Sequence, residues 1–178
     1  IGKETARLFQ LNGMSVAVYD PFVPEETVRA FGYTYCASLQ ALASVSDVLS
    51  LHMPSLPATY HLFDRSVFNA AKDGLYFINC ARGSVVDERA LYEALCSGKV
   101  AAAGLDVMEK EPFDLGSELL RHPNVIVTPH VGGVTADAAE RTHKLVVDST
   151  LALLDGKRIP NVANPTALEH PRWSGLKP

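Results

Sequence analysis

A chain of 178 residues, 47% of them hydrophobic, carries enough apolar material for one domain of ordinary size with a buried core. A net charge of −4 without any basic run lacks the electrostatic footprint of a nucleic-acid or anionic-membrane binder, which leaves small molecules and proteins as partners. No stretch approaches the roughly 20 apolar residues of a membrane span, and Cys36, Cys80 and Cys96, an odd set without metal-ligand spacing, read as reduced thiols of a cytoplasmic protein, with Cys36 and Cys96 as small core residues.

The chain opens on Ile1-Gly2, without an initiating methionine or a signal-peptide pattern, and runs at once into a helical period, as though cut from inside a larger protein. Ala6, Leu8, Phe9 and Leu11 predict a helix over 3–12 that Gly13 ends. A strand over 15–19 closes at Asp20-Pro21, and a short helix over 25–31 ends at Gly32. A brief strand over 33–35, a helix over 39–43 capped by Ser38, and an apolar strand over 47–51 follow, the last running into His52-Met53-Pro54.

Asp64 is placed to cap a helix reaching Ala71, Asp73-Gly74 turns, and 75–79 is a strand. After the turn at Arg82-Gly83, Asp87 can cap a helix over 88–96; 101–106 is a strand whose small residues, Ala101 to Gly104, imply close packing against a helix. A proline-containing loop spans 107–124, a strand 125–128, and one long helix runs from about Thr135 to Asp155, with Asp137 near its positive end and Gly156 as its stop. The proline-bearing tail, 157–178, has no sustained period and reads as an extended arm leaving the domain. Strands alternating with helices predict an α/β fold with a doubly wound parallel sheet, because parallel neighbours need crossover helices. There is no internal repeat.

In such sheets ligands collect at the carboxyl ends of the strands, which is where Arg82, Asp20 and His130 fall. Arg82, just past an apolar strand, is either an anion holder or a surface arginine in a β-to-α loop. Asp20 lies eighteen positions after Gly2, close to the roughly 20-residue gap between a dinucleotide fingerprint and its ribose carboxylate. A carboxylate there favours NAD over NADP, but only the fingerprint's last glycine can be Gly2, and Asp20 before Pro21 also reads as a plain turn residue. His130, between Pro129 and the flexible Gly132-Gly133, suits proton exchange near neutral pH. Its ring needs a carboxylate to fix the tautomer and favour the charged form, and both Glu109 and Glu111 are in range. The other five histidines read as structural.

The segments Asn79-Cys80-Ala81-Arg82-Gly83-Ser84-Val85-Val86-Asp87-Glu88, Gly104-Leu105-Asp106-Val107 with Glu111-Pro112, and Pro123 through Gly133, in this order and spacing, closely resemble the NAD-binding domain of the D-isomer-specific 2-hydroxyacid dehydrogenases. The resemblance covers the chain to about Pro165. It implies a Rossmann-like sheet lacking its first strand, an NAD-binding domain over 1–156, and a C-terminal arm over 157–178 that returns to a substrate domain not contained in the chain. It implies NAD as cofactor and a hydride exchanged between NADH and a 2-keto or 2-hydroxy acid. Arg82 matches the substrate anchor, His130 the acid/base and Glu111, rather than Glu109, the carboxylate behind it. Gly2 matches the last fingerprint glycine, Asp20 the ribose ligand, and Asp106 the residue near the nicotinamide carboxamide. Pro54, Cys80, Ala81 and Gly132 match positions whose main chain lines the cofactor. No metal is implied.

With the substrate domain absent, the chain as it stands is not expected to be a competent catalyst, and phosphoglycerate, hydroxypyruvate, glyoxylate and bulkier 2-keto acids all stay open. Carboxyl-terminal-binding corepressors share the same domain and its Arg, Glu and His, so an NAD-sensing dimeric scaffold is the alternative function. Formate dehydrogenases rank lower because they carry glutamine at the position of Glu111. A homodimer through the cofactor domain is the family's habit.

Overall fold

The computed structural model describes residues 1–176, which divide into two compact units, Ile1–Gly132 and the residues from Gly133 onward. The first unit alternates helix and strand: α1 (Gly2–Leu11), β1 (Ala17–Val18), α2 (Glu25–Ala30), β2 (Thr34–Tyr35), α3 (Leu39–Val45), β3 (Val48–Leu51), α4 (Arg65–Ala70), β4 (Leu75–Asn79), α5 (Glu88–Cys96), β5 (Val100–Leu105), α6 (Glu118–Arg121) and β6 (Val125–Val127). The expected caps are made: Ser38 accepts from Ala41 N, Asp64 from Ser66 N and Val67 N, and Asp87 from Ala90 N, each satisfying an N–H that the first helical turn leaves without a partner. Gly13 and Gly32 stop α1 and α2 at φ +82° and +76°, where a side chain would be strained.

All pairing is parallel. β3-β4-β5-β6 form one ladder and β1-β2 another. The break between β1 and β3 is the place that a first strand occupies in doubly wound order, so the pairing agrees with a sheet lacking that strand. The register sets Leu51 against Asn79, Asn79 against Leu105 and Leu105 against Val127, one level row at the carboxyl ends of four strands.

One face of the four-stranded ladder is the core. Leu49, Leu51, Leu75, Phe77, Ala103 and Leu105 bury there with Val67 and Phe68 of α4 and Leu91 and Leu95 of α5. Phe77 is fully buried, its ring edge-on to Phe68 with centroids 5.3 Å apart. Because side chains alternate along a strand, the neighbouring Tyr76 points to the other face and is 53% exposed. In the small run of β5, Ala103 is buried, while Ala101, Ala102 and Gly104 are half-buried.

Several expectations change. The first two strands keep only two residues each. The proline-containing loop contains the one-turn helix α6, anchored by buried Leu119. Cys96, expected in the core, is exposed because it stands at the last turn of α5, whose buried stripe ends at Leu95. All three cysteines are free, and Cys36 is buried as expected. In the second unit, α7 (Ala136–Leu154) is capped by Thr135, whose hydroxyl accepts from Ala138 N. The tail is not wholly extended, since 3-10 turns form at Pro165–Glu169 and Pro171–Trp173, both opened by proline at a position with no helical partner for an N–H. Among the described residues no helix is long and apolar enough to cross a membrane.

The alternation along β4 has a direct test in urea unfolding. Phe77→Ala is expected to cost about 3–5 kcal/mol by opening a cavity, whereas Tyr76→Ala on the open face costs about 1 kcal/mol or less. Equal losses would contradict this assignment of faces.

Candidate active site

Just past the level row, the chain becomes polar. The buried polar residues among those described are Asn79, 1% exposed at the end of β4, and Asp106, 5% exposed and one residue past β5. Asn79 Oδ1 accepts from Ala81 N at 2.9 Å and Asn79 Nδ2 donates to Arg82 O at 3.0 Å, so one amide folds the turn that carries Cys80, Ala81 and Arg82. Arg82 Nη1 in turn donates to Ala81 O at 2.6 Å. Gly83 continues the turn where only glycine fits, since a Cβ there would stand 1.9 Å from the carbonyl carbon of Met108.

Asp106 does the same work for the next loop, and more of it. Its amide donates to Asn79 O at 2.9 Å, continuing the ladder beyond β5. Its Oδ1 accepts from the Thr128 hydroxyl at 2.6 Å and Val131 N at 2.9 Å, and its Oδ2 accepts from Gly132 N at 2.8 Å. Gly132 has no room for a side chain, because a Cβ would come within 2.9 Å of Asp106 Oδ2. Burial on its own raises this carboxyl's pKa. The hydrogen bonds from Thr128, Gly132 and Val131, with the positive charge available on His130, outweigh that and hold it below the ordinary carboxylate value.

His130 is held inside this loop at φ +52°, a conformation uncommon for a residue with a side chain. Its N–H is shared between Asp106 O at 2.8 Å and Thr128 O at 2.9 Å. Its ring Nδ1 lies 2.8 Å from Glu111 Oε2, which leaves Nε2 as the nitrogen able to face a ligand. Of the two glutamates in range by sequence, Glu111 meets His130 and Glu109 lies against Glu88 and His61.

The remaining predicted positions line the same end of the sheet. Gly2 packs the first turn of α1 against His52 just past β3, where a Cβ would stand 3.0 Å from His52 Cβ. Asp20, two residues past β1, spends Oδ1 on Phe22 N at 2.8 Å. Pro54 O accepts from the Thr59 hydroxyl at 2.8 Å. Ala81 is buried and Cys80 exposed. Partial burial, then the Asp106 charge, pushes the Cys80 thiol up, away from a reactive thiolate. A cavity of about 350 Å³ is lined by Tyr19, Ser38, Gln40, Tyr60, His61 and Asp64. Among the described residues no three His, Cys, Asp or Glu are grouped to hold a metal ion.

Sequence reasoning passed over two residues that shape this site, Asn79 and Thr128. Asn79 had a readable signal: an asparagine closing an apolar strand before a turn is an Asx-turn former. Thr128 had none, as its partner is 22 residues away.

Residues 1–132 match the family model of the D-isomer specific 2-hydroxyacid dehydrogenase, NAD binding domain. The chain is 35% identical over all 178 residues to a D-3-phosphoglycerate dehydrogenase of Methanocaldococcus jannaschii, covering 34% of that protein. It is 42% identical over 143 residues to a hydroxypyruvate reductase of Thermotoga maritima, covering 79% of this chain and 45% of that one. The crystal structure of a D-lactate dehydrogenase of Aquifex aeolicus with NAD and lactic acid superposes with a TM-score of 0.78 at 35% identity, over 88% of this chain and 51% of that one. The chain thus spans about a third of the length of the first of these curated relatives.

Asp106 gives the sharpest test of this geometry. Asp106→Ala leaves buried donors without an acceptor and is expected to cost about 3 kcal/mol in urea unfolding. Because the folded-state pKa is depressed, the contribution of the carboxylate is complete above the unfolded-state value of about 4 and is lost as pH falls from there through the folded value. The stability gap between wild type and variant should therefore narrow below about pH 4; a gap that widens on acidification would refute the hydrogen-bond assignment.

Proposed function

The chain belongs to the D-isomer-specific 2-hydroxyacid dehydrogenase family and carries its NAD-binding domain, and from that premise we propose that it serves hydride transfer between NADH and a 2-keto acid, giving a D-2-hydroxy acid or running in reverse. The observation that carries this reading is the 2.8 Å contact of His130 Nδ1 with Glu111 Oε2 at the carboxyl end of the sheet, made between the loops that follow β6 and β5, the latter strand pairing with the one that leads into the Arg82 turn.

Arg82 is the substrate anchor, its planar fork matched to a carboxylate in a way that a lysine's point charge is not. Nδ1–H of His130 donates a hydrogen bond to Glu111, so the opposite nitrogen of His130 is the one that gives a proton to the keto oxygen on reduction and takes it back on oxidation. The bound cofactor supplies or accepts the hydride. Negative charge grows on the carbonyl oxygen as the carbon is reduced, and Arg82 with protonated His130 place positive charge beside it.

The residues fit a dinucleotide. Gly2 allows the close helix-to-strand approach that the last fingerprint glycine serves. Asp20 keeps Oδ2 unspent among the described residues, available to a ribose diol and repulsive to a 2′-phosphate, which favours NAD. Pro54, Cys80, Ala81 and Gly132 offer main chain along the strand ends, and Asp106 stands between Cys80 and Gly132 at the position assigned to the nicotinamide. We assign 1–156 to the cofactor domain and 157–178 to an arm of the substrate domain, with the cytoplasm as the place of work. The exposed Leu145, Val146, Leu151 and Leu154 of α7 support a homodimer through the cofactor domain, which light scattering on the full-length protein would detect.

Assaying the full-length protein with NADH against a panel of 2-keto acids that includes hydroxypyruvate and glyoxylate tests the activity. Oxidation of NADH by one of them is expected; tight NADH binding with no turnover would favour the NAD-sensing scaffold. His130→Gln should lower kcat by roughly 10²–10⁴-fold with NADH affinity retained, and near-normal turnover would remove His130 from the chemistry. Asp20→Ala should weaken NADH binding about tenfold, as expected for one lost charge-assisted hydrogen bond; unchanged affinity in a fluorescence titration would count against its ribose role.

A further inference from the structure

His130 has a counterpart in the fold. The described non-glycine residues with positive φ are His61 at +48° and His130 at +52°, and each sets its ring against a glutamate of one short loop, residues 107–112. His130 Nδ1 lies 2.8 Å from Glu111 Oε2, and His61 Nε2 lies 3.0 Å from Glu109 Oε1. The second contact is out of line for a hydrogen bond, so this buried ring nitrogen has no hydrogen-bond partner among the described residues.

Glu109 makes its directed bonds elsewhere. Its Oε1 accepts from Glu88 N, the first residue of α5, at 3.1 Å, and Glu88 Oε1 accepts from Glu109 N at 2.7 Å. Each side chain satisfies the other's main chain, a closed reciprocal pair. Burial, then the backbone bond and the charge of Glu109, act on the Glu88 carboxyl, with a net rise in its pKa. The same two segments touch again where Gly83 admits Met108 against its bare Cα, and a third segment joins them where His61 N donates to Ser84 O at 2.9 Å. The 107–112 loop is thereby pinned to the segment that starts at Arg82.

Two residues beyond the pin stands Glu111. Its Oε1 is 3.4 Å from Met108 N and its Oε2 faces His130, so the carboxylate's orientation is set from within the pinned loop. One fastening thus has the substrate anchor on one side and the carboxylate behind the acid/base on the other. Among the described residues no metal-holding group of three competes for these side chains.

We propose that Glu88 and Glu109 are positioning residues, whose reciprocal hydrogen bonds hold Glu111 in line with His130 at a fixed place relative to Arg82. The inference rests on the acid/base reading of His130 and Glu111 given above. Neither residue is assigned a contact with substrate or cofactor; they act through Glu111.

The test uses the full-length protein and the 2-keto acid that it reduces. Glu109→Ala and Glu88→Ala should each lower kcat roughly ten- to a hundredfold, the scale of a small misplacement in a site, with the Kd for NADH within about twofold. Glu109→Gln and Glu88→Gln should restore kcat to within about threefold, because the amide oxygen accepts from the same N–H. The double alanine variant should be no slower than the slower single one, since either change opens the same pair. A second readout is the ¹⁵N spectrum of histidine-labelled protein, in which the His130 Nδ1 signal should move in Glu109→Ala and stay in Glu109→Gln. Unchanged kcat in both alanine variants, or equal losses in alanine and glutamine variants, overturns the proposal while leaving the acid/base reading intact. Should the wild-type protein turn over no 2-keto acid, that reading fails by itself. The His130 signal then decides whether the pair positions the ring, an unmoved signal in Glu109→Ala overturning it.

Discussion

The Asp106 carboxylate is the constraint on which the site depends. It sits one residue beyond a row of strand-end residues that the parallel register holds level, and it turns two oxygens to the chain returning after β6. A hydroxyl and two main-chain N–H groups converge on it while its own carbonyl receives the N–H of His130. Hydrogen bonds to a charged partner contribute about 1.5–3 kcal/mol each, about twice the neutral value. That is ample to hold a histidine in the left-handed region, where a backbone costs of order 1–3 kcal/mol. Take away the carboxylate and the loop loses its reason to double back.

Asn79 repeats the device one strand over with a neutral amide, and the difference follows from what each loop carries. The Arg82 turn is three residues long and needs one acceptor and one donor, which a single amide supplies. The 128–132 loop presents only donors, so a carboxylate, an acceptor alone, suits it. Asn79 stands in an otherwise apolar row with Leu51, Leu105 and Val127, and Asp106 lies one residue past it. Core and site therefore share a boundary, and the strand register that packs Phe77 also sets the height of Arg82 and His130.

Local signals were legible in the sequence and distant ones were not. Ser38, Asp64 and Asp87 could be read as caps because the N–H each one serves is two or three residues away. Helix α6 was hidden in a proline-containing loop because a single turn has no period to detect, and its anchor, Leu119, acquires meaning only against the core. Cys96 and Leu95 are indistinguishable as apolar neighbours, yet the helix rotates one inward and the other out. The family motifs placed Arg82, Glu111 and His130 in order; spacing by itself left Glu109 and Glu111 equivalent, since residues two apart on an irregular loop reach the same neighbourhood. What separates them is that Glu109 is already engaged by the N-terminus of α5, a partner 21 residues back.

That engagement also explains how a long loop can carry a group that needs accurate placement. A carboxylate on a free loop would sample many orientations, and ordering it at the moment of use would cost side-chain entropy on the order of 1–2 kcal/mol. Here the ordering is done in advance by neighbours: Gly83 lets the loop lie against the backbone after Arg82, Glu88 and Glu109 close on each other's amides, and Met108 N orients the remaining oxygen of Glu111. His130 is approached from the other side, by Asp106 through the backbone and by Glu111 through the ring. The pair is thus fixed from two directions by groups that all lie between residues 79 and 132, and its geometry is a property of the sheet's carboxyl edge.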